Sequence, residues 1–142
     1  MNHPAFHDTE IIMQHLQEGD IRTFKSILNQ FYPALCYFAN KLTDNPAVAE
    51  TIAEDAMTAL WQARQQFNNP NMVNSFLYDH AAKASIAFAG NRQKGIEEDT
   101  IWVQVQHEII RAEVLRHLHH QKYNRQVFCS DSNHPEPGTN AG

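Results

Sequence analysis

The sequence has little cysteine, no long apolar run and no excess of basic residues. Its two cysteines, Cys36 and Cys129, stand far apart, which predicts free thiols rather than a disulfide framework or a metal pair. Polar residues interrupt the apolar stretches every few positions, so no segment approaches the roughly 18–20 residues that cross a bilayer. The first residues lack the basic and apolar regions typical of a secretory signal, so we expect a cytoplasmic protein without a membrane span.

The chain is acidic and carries no recognisable catalytic motif. Asp and Glu number 16 against 11 Lys and Arg, a formal net charge of −5 at pH 7, which disfavours strong non-specific binding to nucleic acid. Glycine-rich phosphate loops, nucleophile elbows and Cys–His dyads are absent from the sequence, so we expect neither an enzyme nor a cofactor. Four histidines, His107, His117, His119 and His120, lack a cysteine or paired carboxylate to complete a ligand set. They predict a solvated helix end rather than a metal site.

Helical periodicity runs through most of the 142 residues, whereas strand-like alternation and clusters of β-branched residues are scarce. A chain of this length favours one domain with a single core. We therefore expect an all-α fold, a bundle of four or five helices.

Capping residues and prolines predict where the first helices begin and end. A short, peripheral helix is expected from about Asp8 to Gly19, because glycine commonly ends helices. Asp20 is a suitable N-cap for a second helix. Pro33 is expected to stop or kink that helix, with a continuation as far as the turn at residues 43–46.

The same signals predict the remaining elements. A third helix is expected from Pro46 to about Gln66. A fourth is expected to end near Gly90, and another to lie between about residues 100 and 120. The C-terminal residues contain prolines and glycines without apolar periodicity, which predicts disorder. The expected units are a helical domain, a linker with one helix, and a disordered tail: residues 1–95, 96–128 and 129–142.

A set of residues between positions 16 and 94 stands in a recognisable order. The set comprises Leu16-Gln17-Glu18-Gly19-Asp20, Phe24, Phe31-Tyr32-Pro33, Leu35, Phe38-Ala39, Leu42, Asp44, Ala49-Glu50, Asp55, Leu60-Trp61, Phe67 and Ser75-Phe76-Leu77-Tyr78. It resembles region 2 of sigma-70-type RNA polymerase sigma factors, most closely the extracytoplasmic-function subgroup. A weaker similarity, at residues 112–115 and 123–128, resembles the linker and first helix of region 4, the helix-turn-helix domain that reads the −35 promoter element.

The resemblance implies a compact helical bundle with two working surfaces. In the family, one surface grips the β′ clamp helices of RNA polymerase, and the other melts the −10 promoter element and captures it as single-stranded DNA. The expected partner is therefore core RNA polymerase, with −10 DNA and an anti-sigma protein as further partners that the resemblance leaves open. The residues after Phe128 offer no recognition helix, so no reading of a −35 element is expected.

The expected polymerase contact lies on the helix that contains residues 51–55 and Leu60-Trp61. On the family's alignment, Glu54 and Asp55 fall on contact positions, while Thr51 replaces the usual Asp. A helix that offers acids and amides on one side suits a basic, preformed coiled coil, although an ordinary solvated helix face has the same pattern. The candidate polymerase-binding residues are Glu50, Thr51, Glu54, Asp55, Thr58 and Gln62.

The expected DNA surface is reduced. Sigma factors carry an Arg-Asn pair, an Asp and an Arg on the helix after Phe-Leu-Tyr, where this chain has Ala82, Lys83, Ala87 and Gly90. The asparagine-rich loop at residues 68–71 either hydrogen-bonds extruded bases or forms an ordinary turn. The weak candidate DNA-binding residues are Asn69, Asn71, Asn74, Lys83, Arg92 and Lys94.

Three functional hypotheses follow. The protein is a working minimal sigma factor, or a regulator, decoy or anti-sigma protein that occupies the polymerase without opening DNA. Alternatively, it is a helical protein-interaction module, or the product of a decayed gene, in which the polymerase surface is a relic. The missing basic residues and the net charge favour the second hypothesis, and the family resemblance favours the first.

Overall fold

The chain folds into five α-helices and one short 3₁₀ turn. The computed structural model describes the backbone of residues 4–90 and 98–133, and the side chains of residues 9–90 and 100–118. The helices are α1 (Pro4–Gln17), α2 (Ile21–Thr43), α3 (Pro46–Gln62), α4 (Pro70–Gly90) and α5 (Glu98–Asn133), with the 3₁₀ turn at Arg64–Gln66. Within the described ranges no residue forms a strand, and the prediction of an all-α fold is confirmed.

The junction between α1 and α2 is fixed by Gly19 and Asp20. Gly19 has a φ of +85°, and the N–H groups of both residues bond back to carbonyls in the last turn of α1, at 3.0 Å each. This is the hydrogen-bond pattern that glycine favours after a helix. The Asp20 carboxylate then caps α2 and accepts a bond of 2.9 Å from the Thr23 hydroxyl. Contrary to the expectation of a peripheral helix, α1 contributes Met13 and Leu16 to the core.

Pro33 does not end the second helix, because α2 continues through it to Thr43. A proline inside a helix costs about 3 kcal/mol, since it removes a hydrogen bond and crowds the preceding turn. The residues around it, Phe31, Ala34 and Leu35, are buried in the core. Their burial offsets the local cost, so of the two predicted outcomes at Pro33, a stop or a kink, the stop is wrong.

Two helices begin with the same Asn-Pro pair. Asn45-Pro46 starts α3 and Asn69-Pro70 starts α4, and each asparagine Oδ1 accepts a backbone N–H three residues on, at 3.1 and 3.0 Å. Asparagine is a preferred N-cap, and proline is tolerated in the first helical turn. The loop before α4 therefore has a structural role in starting that helix.

Helix α2 lies at the centre and packs against α3, α4 and α5. Small side chains let α3 and α4 approach closely; Ala53 and Ala56 on α3, and Ala81 and Ala82 on α4, are all almost fully buried. Phe38 on α2 is fully buried, and its ring meets Tyr78 edge-on at 5.4 Å between centroids. The core is thus shared by all five helices.

Helix α5 is longer and more closely attached than the sequence predicts. It runs from Glu98 to Asn133, so it includes residues 129–133 of the tail for which disorder is expected. Its Val105 and Ala112 belong to the same core cluster as α2. A helix nucleated on a packed surface propagates at little further cost, which explains its extension beyond the apolar pattern. Residues 134–142 lie outside the described residues.

A buried polar cluster ties α5 to α2 and α4. The Glu113 carboxylate accepts hydrogen bonds from Asn74 (2.9 Å), Tyr78 (2.7 Å) and two nitrogens of Arg116 (2.9 Å each). Arg116 also donates to Gln30 Oε1 at 2.8 Å. We call these five residues the Glu113 network. Glu113 is bonded directly to two residues of α4, and Arg116 extends the network to Gln30 of α2, so the network joins α5 to both helices.

The Glu113 network predicts a pH-dependent stability. Burial raises the pKa of Glu113, but the hydrogen bonds from Arg116, Tyr78 and Asn74 outweigh it and hold the pKa below its usual value. A carboxyl with a lowered folded pKa stabilises the protein above its unfolded pKa, and this contribution is lost as the pH falls through about 4.3 towards the folded value. The free energy of unfolding of wild type should therefore exceed that of Glu113→Gln at neutral pH, and the difference should shrink in acid. A pH-independent difference in urea titrations contradicts this.

Candidate functional site

The six candidate polymerase-binding residues all lie on one exposed side of α3. Every one of them is solvent-exposed, and the opposite side of the helix supplies Ile52, Ala56 and Leu60 to the core. Residues 46–62 contain no basic residue, so the charge of this side is purely acidic. We call Glu50, Thr51, Glu54, Asp55, Thr58 and Gln62 the α3 face.

An open groove runs beside the α3 face, between α2 and α3. Its volume is about 350 Å³, within the ~300–1,000 Å³ typical of binding clefts. The Phe24 and Trp61 rings meet at 4.9 Å within it, and the Arg64 guanidinium stacks over Trp61 at 4.3 Å. The residues of this α2/α3 groove are Ile21, Phe24, Leu28, Tyr32, Glu54, Met57, Thr58 and Trp61.

The groove corrects the sequence interpretation of α2. The 3-4-3 spacing of Ile21, Phe24, Leu28 and Phe31 predicts one buried face. Phe31 is buried, yet Ile21 is 51% exposed, and Phe24 and Leu28 are only partly buried. Their apolar character is the only sequence signal for the groove. Periodicity identifies the apolar side of a helix, but it does not show whether a neighbouring helix covers that side along its whole length.

Acidic side chains shape the electrostatics of the groove. Burial, a hydrogen bond with Cys36 and the negative charges of Glu54 and Glu50 together raise the pKa of Tyr32 to about 12. Burial also raises the pKa of the Cys36 thiol. Both groups therefore stay neutral at physiological pH, and the groove offers an apolar floor with carboxylates along the α3 side.

Of the four candidate DNA-binding residues that the structure describes, three have partners within the chain. Asn69 caps α4, and Asn74 donates to Glu113. Lys83 forms an exposed ion pair with Asp79 at 3.0 Å, one turn earlier on α4. Asn71 is exposed, and Arg92 and Lys94 lie outside the described residues. The structure does not bring the described members of this set into one basic patch.

The positions that align with the family's DNA-contacting residues differ sharply in environment. Ala82 is only 2% exposed, so its position is part of the core. Ala87 is exposed, and a Cβ atom at Gly90 would meet no neighbouring atom within 4 Å. An arginine can therefore be carried at the Gly90 position but not at the Ala82 position.

The histidines of α5 whose side chains are described, His107 and His117, do not converge with other metal-ligating residues. His107 and His117 are exposed, while the side chains of His119 and His120 lie outside the described residues. Where side chains are described, no group of three His, Cys, Asp or Glu residues is placed to hold a metal ion. The described part of α5 therefore offers solvated histidines at its surface.

In the described ranges, no helix combines the length and apolar character needed to cross a membrane. Comparison with models of protein families, with curated proteins and with solved structures found no match to this chain. What the α3 face and the α2/α3 groove can bind therefore follows from their own geometry and chemistry.

Proposed function

We propose that the protein binds core RNA polymerase through the α3 face and acts in transcription initiation or its regulation, as a sigma-70 region 2-like protein. The observation that carries the proposal is the common exposure of all six candidate residues on a helix without a single basic residue. The order of residues between positions 16 and 94 supplies the family resemblance. The two lines of support meet on the same helix.

The chemistry of the surface favours a helical partner with a basic side. Carboxylates on the α3 face steer and orient a cationic partner, and complementary charge mainly speeds association and fixes the register. The neighbouring groove adds apolar area, which supplies affinity when an aliphatic side chain is buried in it. The β′ clamp helices, a preformed coiled coil in the family's mechanism, are the partner that this combination suits.

The surroundings of the DNA candidates favour a regulator over a promoter-opening factor. Asn69 and Asn74 have their side-chain bonds within the fold, Lys83 is paired, and Ala82 has no room for the family's arginine. Melting DNA requires cations for phosphates and free polar or aromatic groups for unstacked bases. We therefore infer polymerase occupancy without promoter opening, by a decoy or regulator. The minimal sigma factor and the interaction module remain the alternatives.

The proposal is tested by binding of the purified protein to core RNA polymerase. Glu54→Lys with Asp55→Lys is expected to weaken binding by about tenfold or more, because the reversed charges repel a basic partner. The matched control is Glu10→Lys with Glu18→Lys, which makes the same change of net charge on exposed acids of the α1 region. The control variant should bind like wild type.

Each result of this assay points to one hypothesis. Specific binding that only the α3 variant loses supports the polymerase contact. Equal loss in both variants indicates a non-specific charge effect, and absence of binding by wild type overturns the polymerase proposal in favour of the interaction module. A single-stranded −10 oligonucleotide added to the complex then distinguishes a working sigma factor from a regulator or decoy. Protein-dependent, salt-sensitive capture would indicate a sigma factor, and we expect no capture.

A further inference from the structure

A second cavity lies where α1, α2, α4 and α5 meet, and it shares no lining residue with the α2/α3 groove. We call it the four-helix cavity. Its volume is about 220 Å³, whereas an apolar cavity of ~150 Å³ already holds a benzene molecule. The four-helix cavity therefore has room for one ring and a small substituent. Its apolar walls are formed mainly by four buried side chains, those of Met13, Ile27, Phe31 and Val73.

The Glu113 network supplies polar groups to the four-helix cavity, because Gln30, Asn74 and Arg116 are also lining residues. Arg116 donates to Gln30 Oε1 at 2.8 Å, so the guanidinium does not use the NH₂ end of that amide. Asn74 donates its own NH₂ group to Glu113 at 2.9 Å, so the carboxylate does not use its Oδ1. The network thus holds two amides in place, one with a donor and one with an acceptor for a molecule in the cavity.

Charge restricts the ligand further. Among the described residues that line the cavity, only Arg116 is charged. Glu113 accepts two bonds of 2.9 Å from its guanidinium, which also stacks over the Phe31 ring at 4.4 Å from the centroid. Since this positive charge is paired, a ligand carboxylate would place a second negative charge near Glu113, which is costly in a partly buried site. A ligand cation would meet Arg116, so a neutral ligand is favoured.

A carboxamide presents the complementary groups, since its C=O accepts a hydrogen bond and its NH₂ donates one. The C=O suits the NH₂ of Gln30, and the NH₂ suits Oδ1 of Asn74. Small-molecule sites generally combine apolar walls with a few placed polar groups of this kind. We propose that the four-helix cavity binds a small neutral molecule that consists of one apolar ring and a carboxamide group.

Binding at this site would connect four helices through one ligand. Because the lining residues come together only in the folded chain, an occupied cavity should raise the free energy of unfolding in proportion to the logarithm of ligand concentration above the dissociation constant. The cavity and the α3 face have no residue in common. The inference therefore stands without the polymerase proposal, and either one can fail alone.

The first experiment titrates benzamide into the ¹⁵N-labelled full chain and follows the amide signals by NMR. We expect saturable shifts of the side-chain NH₂ signals of Gln30 and Asn74, with a dissociation constant below about 1 mM, which a molecule of this size can supply. Benzoate and toluene have the same ring and nearly the same size, but neither offers a donor together with an acceptor. Each should bind at least roughly tenfold more weakly, because buried polar groups are left unpaired.

The three probes together assign the chemistry of the site. Failure of benzamide to bind at millimolar concentration overturns the proposal. Equal binding of toluene would show that the cavity takes any apolar ring, and equal or tighter binding of benzoate would show that Arg116 attracts an anion. Both of these results overturn the carboxamide assignment, and shifts confined to residues outside the cavity overturn the location.

Two variants test the location independently. Gln30→Glu keeps an oxygen for the bond from Arg116 but removes the NH₂ donor, so benzamide binding should fall roughly tenfold or more. Gln65→Glu makes the same change on the exposed 3₁₀ turn and should bind like wild type. Ile12 lines the cavity and is 43% exposed, so Ile12→Trp can fill the space from its open side and should also prevent binding. Wild-type affinity in either variant, once circular dichroism shows that it is folded, would contradict the assigned site.

Discussion

Ala82→Arg is expected to unfold the protein or to lower its free energy of unfolding by about 4 kcal/mol or more. Ala82 is 2% exposed on the side of α4 that packs closely through alanines. A longer side chain there forces neighbouring helices apart, and it begins in the core, where a charge is costly to bury. Because domains of this size have about 5–15 kcal/mol of stability, the loss is a large fraction of the total.

Two substitutions on the same helix serve as controls for Ala82→Arg. Ala87→Arg makes an identical chemical change at an exposed position, and Gly90→Arg introduces the same side chain at an exposed position where an added Cβ atom meets nothing within 4 Å. Both should change the free energy of unfolding by no more than about 0.5–1 kcal/mol. Urea titrations followed by circular dichroism measure all three. A well-folded Ala82→Arg would show that α4 is not seated in the core as described.

Glu113→Ala is expected to destabilise the protein by about 3 kcal/mol. The substitution leaves Asn74, Tyr78 and Arg116 without the carboxylate that accepts their bonds. Arg116 is the most affected, because its side chain is only 13% exposed and its charge then lacks its partner. The loss should be accompanied by loosening of α5, seen as faster amide hydrogen exchange between residues 100 and 118.

The exposed ion pair on α4 provides the control for Glu113→Ala. Asp79→Ala removes a carboxylate from an i,i+4 pair with Lys83 whose side chains are 58% and 71% exposed. Such surface pairs contribute about 0–1 kcal/mol, so the variant should remain close to wild type. Comparable losses in the two variants would mean that the Glu113 network does not hold α5 more firmly than a surface pair would.

Helix ends were predictable where a capping residue acts locally. Gly19, Asp20 and Pro46 stand at or beside observed boundaries, because a backbone turn or a cap depends on the nearest few residues. The predicted stop at Pro33 was wrong because the outcome there is not local. The cost of the proline is offset by residues of α2 that are buried against other helices. The start of α5 was predicted within two residues, but its continuation to Asn133 was missed, because the residues beyond about 120 lack apolar periodicity.

The candidate surfaces show the same division. The six residues of the α3 face could be chosen from helical spacing and the family resemblance, and all six are exposed together. The α2/α3 groove could not be predicted, because its apolar residues have the spacing of a buried face. The hydrogen bonds of Asn69 and Asn74 could not be predicted either. The sequence does not show whether an asparagine side chain caps a helix or donates to a distant carboxylate.

The sequence by itself determined the helical class, the caps and the acidic side of α3, because each depends on residue type and on neighbours within a few positions. The tertiary structure alone decided which apolar sides are covered. It left the α2/α3 groove open, buried Ala82, and joined Glu113 of α5 to α4 directly and to α2 through Arg116. Those outcomes depend on contacts between residues far apart in the chain, which no local pattern specifies.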